Sequence, residues 1–426
     1  MRRLIYIFII GLLLCSYTWA DGSRYASKSL LSEGKWVKIR VDKTGIYKLS
    51  YADLKNMGFS APSKVSVHGY GGWPLDEDFS KEYIDDVPST PVWRGSDYLL
   101  FYGKGPVKWE YDSSSQTFVH TNNPYSLYGY YFVTDATPTN DMTSVAQASG
   151  ATNRITTYDD YLVHEQELVS LAKSGRELYG EDFSGATPRT LSTFSSIPGI
   201  TNEDAKVTMS FVSKVTSGTG VASLSINQSN VLDVSIRSNR EEYVKALEGV
   251  STAVWKGEKS EKNSVVVSYN SASHNNVRLN YVRLHFKRTL QLYGAYTFFR
   301  SIASIGNVSR FVVQGANANT LVFDVTDAQR VRLMETELNG SELTFSIPAG
   351  TLREFVLVRT DQSFISPEVV GEVENQNLHA LEQKDMIIIA AKAFQTQAER
   401  LAEEHRATDG LTVEVVDPQS IYNEFS

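Results

Sequence analysis

The chain has 426 residues and a formal net charge of -8, with 42% hydrophobic and 21% charged residues. That balance excludes a disordered chain and argues against a nucleic-acid partner, which net negative charge repels. One cysteine (Cys15) excludes an internal disulfide, and 23 tyrosines and 19 phenylalanines against 12 prolines point to a β-rich globular chain long enough for two or three domains.

Met1-Arg2-Arg3 is a basic head, and residues 4–14 form an apolar run too short to span a bilayer comfortably as a helix. Thr18 and Ala20 then place small residues where a signal peptidase reads, so residues 1–20 are expected to be a removed signal peptide. The competing reading, a lipoprotein anchored at Cys15, needs a small residue where Leu14 stands. The mature chain is expected to begin near Asp21, outside the cytoplasm, with no transmembrane span. Without a thiol it holds neither a thiolate nucleophile nor a thiolate metal site.

From residue 36 to 41 the text alternates, with Val37, Ile39 and Val41 on one face; Asp42-Lys43-Thr44-Gly45 reads as a turn and residues 46–49 as the returning strand of a hairpin. Ser50 with Asp53 three residues on predicts a capped short helix closed by Gly58. Strands are expected at 64–68, 97–102 and 128–134, and the small, polar stretch 135–153 marks a boundary. Short strands at 207–212, 221–226, 231–236 and 264–269 suit a sandwich. In 281–290, Val282, Leu284 and Phe286 face one way and Arg283, His285 and Lys287 the other. Further strands follow at 310–313, 321–325, 343–347 and 354–358.

After Pro367 the pattern changes. Residues 386–390 are a continuous apolar run of the kind buried on both faces of a parallel sheet. A helix over 392–406, with Phe394, Ala398 and Leu401 on its stripe, ends at Gly410, and 411–416 is a second, parallel strand. Pro418 opens another helix whose apolar face is Ile421, Tyr422 and Phe425. Two strands with one helix and a stub cannot cover both faces of a sheet, so this unit is expected to open a larger domain.

No catalytic, cofactor-binding or metal-ligating residue is assigned. His68 precedes Gly69-Tyr70-Gly71-Gly72 without the Lys-Ser or Lys-Thr of a phosphate loop, so a tight turn is expected. His120, His164, His274, His285, His379 and His405 show no zinc spacing. Carboxylates cluster at Asp76-Glu77-Asp78, Asp85-Asp86 and Glu181-Asp182. The first cluster is the best calcium candidate and reads more simply as a solvated loop. Residues 158–165 and 174–183 mix charge, glycine and aromatics too densely for a simple strand. They admit either an ordinary linker or a domain entry fixed by a buried Arg176 paired with Glu177 or Glu181.

That text resembles the amino-terminal region of type IX secretion sortases, large members of the gingipain-like cysteine peptidase family. The resemblance rests on Lys35-Trp36-Val37-Lys38-Ile39 with Thr44-Gly45-Ile46-Tyr47-Lys48-Leu49, on Ser174-Gly175-Arg176-Glu177 with Tyr179-Gly180-Glu181, and on Asp324-Val325-Thr326. Asn375-Gln376-Asn377-Leu378-His379 followed by Asp385-Met386-Ile387-Ile388-Ile389 completes it. Leu178 and Phe323 stand where the family suggests tryptophan. The resemblance implies a mainly β chain: an amino-terminal β domain over 21–145, a second sandwich-like domain over 150–370, and the start of a truncated gingipain-like α/β peptidase domain over 380–426. It implies an exported surface enzyme that cuts carboxy-terminal signals from protein cargo and joins the cargo to lipopolysaccharide, acting with other type IX components and without a cofactor. The Cys-His dyad of that chemistry has no counterpart here, so this chain alone is expected to be a non-catalytic scaffold. A non-enzymatic adhesin or carbohydrate-binding surface protein is the alternative, which exposed Trp73, Trp93 and Trp109 on one face would support.

Overall fold

A computed structural model describes residues 25–425 except 79, 82–83, 172–175, 239–245 and 273. The expected signal peptide, Cys15 and part of the 174–183 segment lie outside the described residues. The fold is mainly β, and among the described residues no helix is long and apolar enough to cross a membrane.

Two sheets open the chain. In the larger, Trp36–Val41 is flanked by Gly129–Thr134 and by Glu368–Val373, a strand that returns after more than 300 residues; the smaller runs Gly45–Ser50, Tyr98–Gly103, Val92–Arg94. The expected hairpin between 36–41 and 46–49 does not form, because the two strands belong to different sheets. Val37, Ile39 and Val41 from one and Tyr47 and Leu49 from the other meet in a single core. The turn at 42–44 is thus a corner of a sandwich rather than a hairpin loop. The predicted helix does form over Tyr51–Asn56: the Ser50 hydroxyl accepts from the Asp53 amide, and Gly58 follows at φ 92.

The middle of the chain builds a nine-stranded sheet faced by two four-stranded ones. Val277–Thr289 is its longest strand, and Val282, Leu284 and Phe286 are buried as predicted. Thr157–Glu165, whose charge density argued against a strand, is a nine-residue strand paired along its whole length with 281–289. Its polar groups are matched rather than solvated. Asp159 accepts from His285 (3.1 Å) and Lys287 (2.9 Å), and Asp160 takes Arg288 (2.8 Å). The face carrying Arg283 and His285 is buried too, under a hairpin of Val107–Asp112 and Thr117–Asn122. Trp109 of that hairpin stacks on Tyr161 at 4.0 Å, and Phe118 meets His285 edge-on at 5.2 Å.

The end of the chain forms the expected unit. Met386–Ile389 pairs in parallel with Val413–Val416, and between them lie the helix Gln395–Glu404 and a turn closed by Gly410 at φ 68. Ile387 and Ile389 remain about 60% exposed (60% and 61%).

Candidate functional site

The last helix, Pro418–Phe425, shows which surface the carboxy-terminal unit uses to hold the β scaffold. Asp417 starts it, accepting from the Gln419 amide through its carboxylate and from the Ser420 and Ile421 amides through its carbonyl. The predicted apolar face docks only in part, through Phe425, and the most buried side chains of the helix are polar. Tyr422 is 61% exposed, whereas Asn423 (3%) and Glu424 (0%) are buried. The receiving surface is itself polar, which reverses the usual preference for an apolar stripe.

Glu424 is an acceptor with four donors. One oxygen takes Gln376 Nε2 (2.8 Å) and the Leu378 amide (2.9 Å); the other takes the His379 amide (3.1 Å) and His379 Nδ1 (2.7 Å). The other ring nitrogen of His379 faces Asp85 at 2.9 Å. With a carboxylate oxygen at each nitrogen, the site favours the imidazolium, in which both nitrogens donate. Burial alone would lower its pKa; the bonds to Asp85 and Glu424 outweigh it and hold the pKa above the ordinary value. Phe425 stacks on the ring at 4.4 Å. Beside it, Lys38 Nζ donates to Asn423 (2.7 Å) and lies over Tyr130 at 4.5 Å; burial brings its pKa down to about 8.

The same carboxylates fasten the beginning of the described chain. Asp85 accepts from the Ala26 amide (2.6 Å), and Asp86 from the Ser29 hydroxyl and Leu30 amide (both 2.7 Å). Ser29 in turn donates its amide to Asn377 (2.9 Å), and Asn375 reaches the carbonyls of Leu31 and Gly34. Four segments therefore meet at one joint: residues 26–34, loop 85–86, linker 375–379 and the last helix. Both carboxylate oxygens of Asp85, Asp86 and Glu424 have donors, so these groups tie the four segments together.

Sequence reading did not bring these groups together. Asp85 and His379 are 294 positions apart, and the Asp85-Asp86 pair reads as an ordinary acidic loop. The other candidates have structural partners. His68 is buried on its strand, bonded to Ser66, Thr137 and the Val87 carbonyl, and burial lowers its pKa. Asp76 pairs with Lys81 and Asp78 bonds Ser80. Arg176 is 60% exposed and pairs with Glu77, not with Glu177 or Glu181, so of the two readings of this segment the buried entry pair does not form. Glu181 bonds His164 (2.6 Å), and Asp182 pairs with Arg278. His120 meets Glu165, His274 bonds Tyr269, and His405 bonds Asp409 at helical spacing. Among the described residues no group of three or more His, Cys, Asp or Glu side chains is placed to hold a metal ion.

The family model of Peptidase family C25 matches residues 379–426, the stretch that begins at the clamped histidine. A search of solved structures matches the crystal structure of dimeric latent PorU from Porphyromonas gingivalis with a TM-score of 0.88, at 32% identity over 95% of this chain. The chain is PorU-like and of the gingipain family. It spans 39% of the length of that PorU chain. The insecticidal delta-endotoxin Cry8Ea1 of Bacillus thuringiensis (10% identity, 52% of this chain and 41% of that one, TM-score 0.21) shares too little geometry to inform this PorU-like chain. The same holds for a cycloisomaltooligosaccharide glucanotransferase of Paenibacillus (7% identity, 50% and 45%, TM-score 0.18). No curated protein matches.

Proposed function

We propose that these residues form the scaffold of a type IX secretion sortase, an exported surface enzyme that removes carboxy-terminal signals from cargo and attaches the cargo to lipopolysaccharide. Residues 1–20 are the export signal, and the partners are cargo proteins and other components of that secretion system. The observation that carries the reading is the TM-score of 0.88 to PorU over 95% of the chain. The family-matched segment meets the β scaffold where His379 faces Asp85 and Asn423 accepts from Lys38, with Glu424 holding the histidine in place. In this reading the β units do no chemistry. Cys15 is the sequence's single cysteine, so a thiolate mechanism has no nucleophile in residues 25–425. The joint fixes where the peptidase unit sits, and positioning of that kind supplies much of an enzyme's advantage.

The adhesin reading is weaker on specific grounds. Trp109 is stacked inside the hairpin interface, Trp93 packs with Tyr98, and Trp73 covers Lys104, so the three indoles do not form an exposed face. Disruption of the intact gene tests the proposal. Cargo should then accumulate with its carboxy-terminal signal uncut, and return of the intact gene should restore cleavage. Normal cargo processing in the disrupted strain would refute it.

A further inference from the structure

Lys104 is a buried cation that nothing above accounts for. It is 2% exposed. Its main chain is fixed on both sides: the amide donates to Tyr131 Oη (2.7 Å), and the carbonyl accepts from the Gly72 amide (2.9 Å). Glycines make this approach possible, since a Cβ at Gly72, Gly105 or Gly129 would run into neighbouring backbone. The side chain then passes over two rings, with Nζ 3.6 Å from the centroid of Tyr70 and 4.9 Å from that of Trp73. Ring faces attract a cation but do not satisfy its three N–H groups. No hydrogen-bond acceptor among the described residues lies against Nζ. The indole beside it repeats the deficit, for Trp73 Nε1 is buried and also without a partner. An unpaired buried donor is costly and uncommon, and the one at Trp73 lies beside an amine held only by ring faces.

We infer that Lys104 and Trp73 form a binding site for a small oxyanion, a carboxylate or phosphate group whose oxygens accept from Lys104 Nζ and Trp73 Nε1. Such a group supplies both things the corner lacks, acceptors and a negative charge. Burial brings the Lys104 amine down to about 7, with Asp327 raising and Lys108 lowering it; Asp76 and Glu110 act on the adjoining Tyr70. An arriving anion favours the ammonium, so binding takes up a proton.

The test is a titration of the 15N-labelled exported chain with sodium acetate and, separately, inorganic phosphate, following the indole resonance of Trp73. The expected result is a saturable shift with one or both anions. Acetate binding should tighten about tenfold between pH 8 and pH 6, because a group titrating near 7 goes from about one-tenth to nine-tenths protonated. Lys104→Met should abolish the shift, and Trp73→Phe, followed through the Gly72 amide resonance that it keeps, should weaken binding about fivefold, as loss of one neutral hydrogen bond does. A response to acetate alone assigns a carboxylate ligand, and a response to phosphate alone a phosphate. If the wild-type indole resonance is unmoved by tens of millimolar of either anion, the inference is wrong. It is equally wrong if Lys104→Met binds as well as wild type. Should Lys104→Met not fold, the wild-type titration and Trp73→Phe still decide.

Discussion

Replacing Glu424 with alanine should release the last helix while leaving the β scaffold folded. The carboxylate is fully buried and serves two backbone amides, the Gln376 side chain and the His379 imidazolium. Removing one partner of a buried, hydrogen-bonded charge pair costs about 3–5 kcal/mol. At 1.4 kcal/mol per tenfold, the undocked population should rise on the order of a hundred- to several-thousand-fold. Amide exchange over residues 418–425 reads this directly, with Trp36–Val41 as the internal standard. Glu424→Gln, which keeps one acceptor oxygen and loses the charge, should fall between wild type and alanine. The pH profile adds a second signature. A histidine whose folded pKa is raised contributes stability that is complete below its ordinary value of about 6.5 and is lost as pH rises through the folded value. Helix protection should therefore decline on the alkaline side in wild type and decline less in Glu424→Ala, where the histidine keeps Asp85 but no longer touches the helix carboxylate. Unchanged exchange over 418–425 in the alanine variant would show that the helix is held by something else, and the joint described above would be incidental.

Three further outcomes are expected. Arg300, 1% exposed between Glu354 (2.8 Å) and Asp160 (3.6 Å), should cost about 3–5 kcal/mol as alanine, seen as a lower urea midpoint. Exposed Arg176→Ala should stay within about 0.5 kcal/mol of wild type in the same assay. Gly129→Ala should destabilise by about 1–3 kcal/mol, because its Cβ would meet the Lys104 carbonyl oxygen and the Gly72 amide; a melting curve like that of wild type would contradict the packing.

Strands with one solvated and one buried face were legible in the text, and so was the parallel strand-helix-strand unit, because period and caps are local signals. What failed was non-local. Residues 36–41 and 46–49 look like a hairpin, and only the return of Glu368–Val373 and the common core show that they lie in different sheets. Thr157–Glu165 looked wrong for a strand because its charges answer to Lys287 and Arg288 on a neighbour more than 120 positions away. The last helix was read only in part for the same reason: Phe425 packs as its apolar face suggested, but Asn423 and Glu424 face polar groups contributed by Lys38, Gln376 and His379. Of the joint, the sequence offered only the Asn375-to-His379 motif, without its partners.

The most direct test of the account is cargo cleavage in cells whose only copy of the intact gene carries Glu424→Ala, compared with Arg176→Ala and wild type at equal surface abundance. If the scaffold positions a peptidase unit through this joint, the Glu424 variant should leave carboxy-terminal signals uncut on surface cargo, while the Arg176 variant processes them as wild type does. Complete processing by the Glu424 variant at the wild-type rate would contradict the claim.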